Sequence, residues 1–338
     1  MKKIILIVAI ISLTVLITVL IFSFYCYQKL HSPIDATENI ELQISPNSGV
    51  NEVIRNLNEQ GLLQPNWLFR TVARVYARQT GKFIFAGIHQ FSSTLTNYEL
   101  IVALFSGKNL ATQRVTFPEG ITIRRFASIL QKQMEIDSAY FVELCHNSEF
   151  IKKFDIEASS LEGYLMPSTY VFFVNITAEK IIETLVQEQI KVWKKFEEDA
   201  KKIGFDFHKT LTLASIIEAE TPVIEERKLV SGVYHNRLRI GMLLQADPTV
   251  QYALGTTKKR LLYSDLKIDS RYNTYKYAGL PPGPINSPSA TSIEAAANPE
   301  QTDYLFFVAV GDGSNRHNFS RNYTEHLKQV AAFRKNRR

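Results

Sequence analysis

The chain of 338 residues is long enough for more than one domain, and its 45% hydrophobic and 21% charged content excludes a mainly disordered protein. Two cysteines exclude a disulfide-stapled scaffold. A formal net charge of +6 suits an anionic envelope polymer or a membrane surface, and nucleic acid is set aside because the chain opens on an apolar span followed by an external domain.

Met1, Lys2 and Lys3 precede an apolar run over residues 4–22 in which Ser12, Thr14 and Thr18 are the polar residues. At about 1.5 Å per residue, roughly 20 residues cross a bilayer core, and Phe24, Tyr25 and Tyr27 would supply interfacial aromatic rings. The expected layout is a cytoplasmic N-terminus over 1–3, a transmembrane helix over 4–25 and a linker over 26–39. A cleaved signal peptide is the alternative. Against it stand the length of the run and the lack of a small-x-small site near Phe22, Ser23, Phe24, Tyr25 and Cys26. Lys2, Lys3 and the terminal amine outweigh Lys29, which places the N-terminus inside and the remainder outside.

Residues 40–44 alternate like a strand. Ser45, Pro46, Asn47, Ser48 and Gly49 then turn into a helix marked by Val50, Val53, Ile54 and Leu57, which Gly61 stops. A second helix is predicted around 67–77, strand material at Phe83, Phe85 and Phe91, and a capping box at Thr96, Asn97, Tyr98 and Glu99 opening a helix that Gly107 ends. The strand, Pro-containing turn and helix recur over 115–130, VTFPEGITIRRFASIL. Cys145 reads as packing. In LEGYLMPSTY (161–170) and just beyond, Tyr164, Tyr170, Phe172 and Phe173 fit either strand core or sugar-stacking aromatics. A helix over 178–202 carries Glu and Lys runs as a solvated face.

The chain is organised around residues 211–255, LTLASIIEAETPVIEERKLVSGVYHNRLRIGMLLQADPTVQYALG. Leu211, Leu213, Ala214, Ile216 and Ile217 leave no clean polar face, so this helix should be buried on most sides. Glu218 follows Ala214 at i+4 and Leu211 at i+7 and projects from an apolar stripe, whereas Glu220 lies on another face. Desolvation keeps such an acid protonated nearer neutral pH, which makes Glu218 a candidate general acid. Thr221 and Pro222 look like the N-cap and first residue of a second helix running to about Gly241. Its inward stripe of Val223, Arg227, Val230, Tyr234 and Leu238 brings Arg227 to the core, with Arg237 close by. A structural Glu–Arg network and a catalytic carboxyl both fit Glu218, while Glu220, with Arg227 and Arg237, fits structural support. Gln245, Asp247 and Thr249 follow in an extended turn that offers amide, carboxylate and hydroxyl together. Turn-rich loops at 271–275 and 279–285, a hairpin over 304–319 and a basic helix at 323–334 complete the chain. H-E-x-x-H, C-x-x-C, G-x-S-x-G and phosphate-loop patterns are not present, so neither metal nor cofactor is indicated.

The runs ASIIEAET (214–221), ERKLVSGVYHNRLRIGMLLQADPTVQYA (226–253), YNTY (272–275) and GLPPGPI (279–285), with FPEG at 117–120 and LEGYLMPSTY, resemble the endolytic murein transglycosylase G family of membrane-anchored lytic transglycosylases. The resemblance implies an α+β protein: a single N-terminal transmembrane helix, a LysM-like α/β module over 40–110, a second strand-turn-helix unit and connecting helix over 111–205, and a mostly helical catalytic lobe over 206–338. It implies cleavage of the MurNAc-GlcNAc β-1,4 bond within nascent peptidoglycan strands to give 1,6-anhydroMurNAc ends, limiting strand elongation. Glu218 stands at the position of the family's catalytic glutamate. Gln245, Asp247, Thr249, Tyr272, Asn273 and Tyr275 would contact the N-acetyl sugars, rigid loops holding them with little ordering entropy. The implied partners are glycan strands, the bacterial inner membrane and cell-wall synthases, with the catalytic domain in the periplasm and no nucleic acid. The repeat at 115–130 would hold glycan, or it is a second ordinary β-turn-α unit. Ser168 stands where the family commonly has Asp, so no acid/base role passes to it, and Asn286-Ser287-Pro288-Ser289 departs from the family's common x-Asn-Pro-Gly, so no ligand role passes to Ser287.

In a lytic transglycosylase the muramic acid's own C6 hydroxyl closes on C1, so one carboxyl can act first as acid and then as base. Two other readings remain open: a lysozyme-like hydrolase with Asp247 as second carboxylate, and a non-catalytic anchored glycan-binding protein in which Glu218 serves an arginine pair.

Overall fold

A computed structural model describes residues 2–36, 38–45, 48–256 and 261–336. Pro46 and Asn47 of the expected turn lie outside the described residues. The chain divides into two compact units, Met1–Gln113 with Val171–Ile176, and Arg114–Tyr170 with Thr177–Arg338. Residues 111–205, expected as a unit of their own, are therefore shared between the two.

In the first unit α1 (Lys2–His31) is long and apolar enough to cross a membrane, and its apolar side chains are exposed. It outruns its expected end, so residues 26–31 are helix and not linker. The reason is tertiary: Cys26 and Leu30 pack against the unit's core, and Asn97 Nδ2 donates to the Lys29 carbonyl at 3.0 Å. β1 (Ile40–Ile44), α2 (Val50–Glu59), α3 (Asn66–Thr80) and β2 (Gly87–Phe91) follow, with β1 and β2 antiparallel and Ile40 opposite Phe91. Leu42 and Ile44 on one face of β1 meet the apolar stripes of the helices, Val53, Ile54 and Leu57 on α2 and Leu68, Phe69 and Ala73 on α3. Phe83 and Phe85, expected in a strand, lie ahead of β2 and are exposed. α4 (Asn97–Leu104) starts at the expected capping box, in which Glu99 N donates to Thr96 Oγ1 at 3.2 Å and Thr96 N donates to Glu99 Oε2 at 2.8 Å.

β3 (Thr112–Thr116) leads into the second unit, with α5 (Ile123–Met134), α6 (Ser138–Leu144) and α7 (Ser148–Lys152); β4 (Thr169–Phe173) pairs with β3. The helix expected over 178–202 breaks at Phe196 into α8 (Ala178–Lys194) and α9 (Glu197–Lys202). Its charged face carries exposed i,i+3 pairs such as Lys180–Glu183 at 2.6 Å, each worth only a few tenths of a kcal/mol. Then come α10 (Phe207–Glu220), α11 (Arg227–Arg239), α12 (Asp247–Leu254), α13 (Ala290–Ala297), the antiparallel pair β5 (Phe306–Ala309) and β6 (His317–Ser320), and α14 (Tyr323–Asn336). The chain is thus helix-rich with small two-stranded sheets.

α10 is the axis of the second unit. Asp206 caps it by accepting from Lys209 N at 2.8 Å, and every residue from Thr210 to Ile217 is buried, enclosed by α11, α12 and α13. Thr221 does not cap the next helix. It is the extended residue that ends α10, and its hydroxyl accepts from Val223 N at 3.1 Å inside a turn. A short 3-10 turn, Ile224–Glu226, intervenes before α11 begins at Arg227.

One glycine fixes how the loop after residue 280 meets this unit. Gly163 has φ 82°, and a Cβ there would sit 2.3 Å from Pro284 Cβ. Gly204 has a similar φ of 77° with open space around it. Gly163→Ala should therefore lower the unfolding free energy by about 2–5 kcal/mol in urea titrations, backbone strain and overpacking acting together, while Gly204→Ala loses about 1–2 kcal/mol from strain alone. Equal losses for the two variants would show that the Pro284 contact is unimportant.

Candidate active site

Glu218 lies in the last turn of α10 with its side chain only 7% exposed, and the Arg227 side chain, 5% exposed, meets it from the start of α11. Arg227 Nη2 donates to Oε1 at 2.9 Å and Nη1 donates to Oε2 at 3.2 Å, a two-point grip. Ser289, at the N-cap of α13, donates to the same Oε2 through its backbone N–H at 2.9 Å and its hydroxyl at 2.5 Å. Arg227 Nη1 also donates to Thr291 Oγ1 at 2.6 Å. In this arrangement the Glu218 carboxyl only accepts. That differs from the purely apolar surround expected from its own helix, because the arginine and the serine arrive from other elements.

Two loops close over this carboxyl. Ile285 N donates to Ser215 Oγ at 3.0 Å and Asn286 Nδ2 donates to the Ser215 carbonyl at 2.8 Å, tying one loop to α10. Ser287 N donates to the Ile121 carbonyl at 2.9 Å and Gly120 N to the Ser287 carbonyl at 2.8 Å, tying the Phe-Pro-Glu-Gly loop to the first. Gly120 packs on Glu218, so that a Cβ built there would lie 3.5 Å from Glu218 Cγ. Glu119, exposed beside it, has its pKa raised by burial and by the Glu218 charge, with Arg227 acting in the opposite direction. Behind the loop, Glu162 Oε1 accepts from Ile123 N at 3.0 Å at the start of α5, and burial pushes Glu162 up to about 7. Tyr164 OH donates to His208 Nδ1 at 2.6 Å while His208 Nε2–H donates to the Pro282 carbonyl at 2.8 Å, pinning the proline-rich loop.

The other expected site residues separate into two groups. Gln245 is exposed with a left-handed φ of 51°, and Asp247, the exposed first residue of α12, accepts from Tyr275 OH at 2.6 Å. Tyr272 packs against Tyr252 with ring centroids 4.9 Å apart. Thr249 and Asn273, by contrast, are fully buried. Thr249 Oγ1 donates to the Ala246 carbonyl at 2.7 Å, and Asn273 Nδ2 donates to the Leu266 and Ile268 carbonyls at 2.9 and 2.8 Å. The direct sugar contact expected of these two gives way to holding the loops that carry Asp247, Tyr272 and Tyr275.

Of the two acids that the sequence could pair with Arg227, it is Glu218 that the arginine grips, while Glu220 lies on the other face of α10. Glu220 Oε1 accepts from Tyr234 OH at 2.8 Å. Arg237 donates to the Leu305 and Leu244 carbonyls at 2.7 and 2.6 Å and acts on Glu220 through its charge. Burial, with Asp247 adding to it, pushes Glu220 up to about 7. Ser289 and Thr291 escaped the sequence reading because they lie 71 and 73 positions beyond Glu218 and no local pattern links them. Glu119 was visible in its motif but had no partner to give it a role.

The Glu220 environment fixes a pH dependence. Its folded pKa of about 7 lies above the ordinary 4.5, so the native state binds the extra proton and its contribution to stability declines as pH rises from about 4.5 through 7. Glu220→Gln keeps an acceptor for Tyr234 and removes the titration. In detergent-solubilised protein the difference in unfolding free energy between variant and parent should move in the variant's favour by on the order of 1–3 kcal/mol between pH 5 and pH 8. A pH-independent difference would contradict the assignment.

An endolytic murein transglycosylase of Bacillus subtilis is 31% identical over 310 residues, covering 87% of this chain and 84% of that protein. One from Streptococcus pneumoniae serotype 2 is 29% identical over 333 residues, and there the match covers 87% of this chain but 60% of the relative. The crystal structure of a YceG-like protein from Listeria monocytogenes superposes with a TM-score of 0.60 at 32% identity, over 87% of this chain and 99% of that one. The YceG-like family matches residues 42–332, and the chain belongs to that family.

Proposed function

We propose that the protein is an endolytic lytic transglycosylase that cuts the MurNAc-GlcNAc β-1,4 bond inside peptidoglycan strands, with Glu218 as the catalytic carboxyl. The observation that carries this reading is the placement of Glu218: a buried carboxyl at the end of the unit's central helix, fixed by Arg227 and Ser289 beneath two hydrogen-bonded loops. The names of its relatives point the same way. The reaction breaks the C1–O4 bond, the leaving oxygen takes a proton, and the C6 hydroxyl of the same muramic acid closes on C1 and gives up its own. In its simplest form Glu218 serves both proton transfers in turn.

Around it, Gln245, Asp247, Tyr272 and Tyr275 would meet the sugars, with Thr249 and Asn273 acting from behind. Glu220 and Arg237 would support the α10–α11 core. The β1–α2–α3–β2 module would hold the glycan chain in the manner of LysM. α1 would anchor the protein as a single pass with Lys2 and Lys3 inside, near the synthases that supply nascent strands, so that cutting limits strand length.

The test is mass analysis of products from uncrosslinked glycan strands in heavy-oxygen water. Anhydro ends without solvent label are expected, and solvent-labelled reducing ends in most products would overturn the reading in favour of a hydrolase. Glu218→Gln should abolish cutting. Because this variant leaves Arg227 buried without its counter-charge, it should also lose stability, by roughly 3–5 kcal/mol in the general case. The neutral pair Glu218→Gln with Arg227→Gln, checked for folding and strand binding, keeps the test clean. Cutting at the parent rate by folded Glu218→Gln would sink the assignment.

A further inference from the structure

The Glu218 carboxyl has four donors on it and a full positive charge against it. Such a surround suits a group that must carry negative charge, facing a developing cation or accepting a proton. It is poorly suited to delivering a proton to the leaving oxygen. The neighbouring Glu119 has the opposite character. It is exposed in the Phe-Pro-Glu-Gly loop, and among the described residues no hydrogen bond or ion pair reaches it. Its loop is nevertheless fixed on the site, by the Gly120–Ser287 and Ser287–Ile121 hydrogen bonds and by the packing of Gly120 on Glu218.

We infer that Glu119 is a second catalytic carboxyl: it protonates the leaving glycosidic oxygen, while Glu218, held by Arg227 and Ser289, faces the positive charge at C1 and takes the C6 hydroxyl proton. This division of labour rests on the lytic transglycosylase reading. The C1–O4 bond breaks with its electron pair going to O4, which receives the Glu119 proton. The C6 oxygen then bonds to C1 as its proton passes to Glu218. No water is consumed, and exchange with solvent returns Glu119 to its acid and Glu218 to its carboxylate before the next cut. The charged groups facing Glu119 are Glu218, which with burial favours its protonated form, and Arg227, which opposes it.

The experiment compares Glu119→Gln with the parent, both full-length in detergent, on glycan strands and on a short glycan oligomer whose terminal MurNAc carries a dinitrophenyl leaving group that needs no proton. Glu119→Gln should cut strands at least ~100-fold more slowly, the range of general-acid catalysis. On the dinitrophenyl oligomer it should stay within a few-fold of the parent, and the alkaline fall of kcat expected of the parent on strands should be absent. An unchanged rate on strands would overturn the proposal. So would equal losses on both substrates, which mark a merely structural role. Rescue of Glu218→Gln, and not of Glu119→Gln, by the activated leaving group would overturn it by making Glu218 the acid. Solvent-labelled reducing ends from the parent would instead defeat the transglycosylase reading, and the two-substrate comparison would still identify the proton donor.

Discussion

The second unit depends on the ion pair between Glu218 and Arg227. Each partner alone, buried to this degree, would be a strongly destabilising charge; together they are tolerable only with good geometry and with their remaining hydrogen-bonding capacity met. Ser289 and Thr291 supply those further bonds. Three segments are thereby joined: the end of α10, the first residue of α11 nine positions on, and the N-terminus of α13, 71 positions beyond Glu218. The pair adds little net stability of this kind, but it specifies one arrangement of the three helices and one position for the carboxyl.

The loops above it follow from that arrangement. Ser215, one turn before Glu218 on the same helix, holds Ile285 and Asn286, and Ser287 in turn holds Gly120 and Ile121. From beneath, Glu162 takes the Ile123 N–H at the start of α5, and Gly163 leaves the gap that Pro284 fills. The main-chain bonds at Gly120 and Ser287 set the loop backbone independently of what the Glu119 side chain does. A reactive side chain can therefore remain unencumbered while its Cα is held in place, which is what a site on loops needs to approach the precision of one on helices.

Much of this was legible in the sequence wherever the signal is local. The strand at 40–44, the Thr96 capping box and the C-terminal hairpin are set by alternation, by two side chains three residues apart and by a glycine-rich turn. Legibility failed where one local pattern fits two structures or where a distant partner decides. Thr221-Pro222 has the form of a helix start, yet Thr221 Oγ1 is taken by Val223 N and α11 waits until Arg227, the residue that Glu218 needs. Helical spacing placed Glu218 among Leu211 and Ala214 because spacing sees one helix at a time. Thr249 and Asn273 announced hydrogen bonding by residue type, but type does not distinguish a sugar from a carbonyl of the protein's own loop. α1 ran past its apolar stretch because Asn97, far along the chain, receives its last turns.

The contrast between Glu119 and Glu218 also follows from how each can exchange protons. A proton donor must be reloaded after every cut, and a carboxyl at the surface with no arginine on it is reloaded directly from solvent. A carboxylate that meets a cation gains from the reverse conditions, namely a fixed position, donors on both oxygens and a bound arginine in place before the substrate arrives. Glu220 and Glu162, both pushed up to about 7, face neither requirement: one is sealed against Tyr234 and the other against the α5 N-terminus, with the protein's own groups as partners. A raised pKa alone therefore does not mark the acid in this fold. What marks it is an unoccupied carboxyl on a fixed backbone beside an occupied one, and among the carboxyls in contact with the Glu218 site Glu119 meets that description.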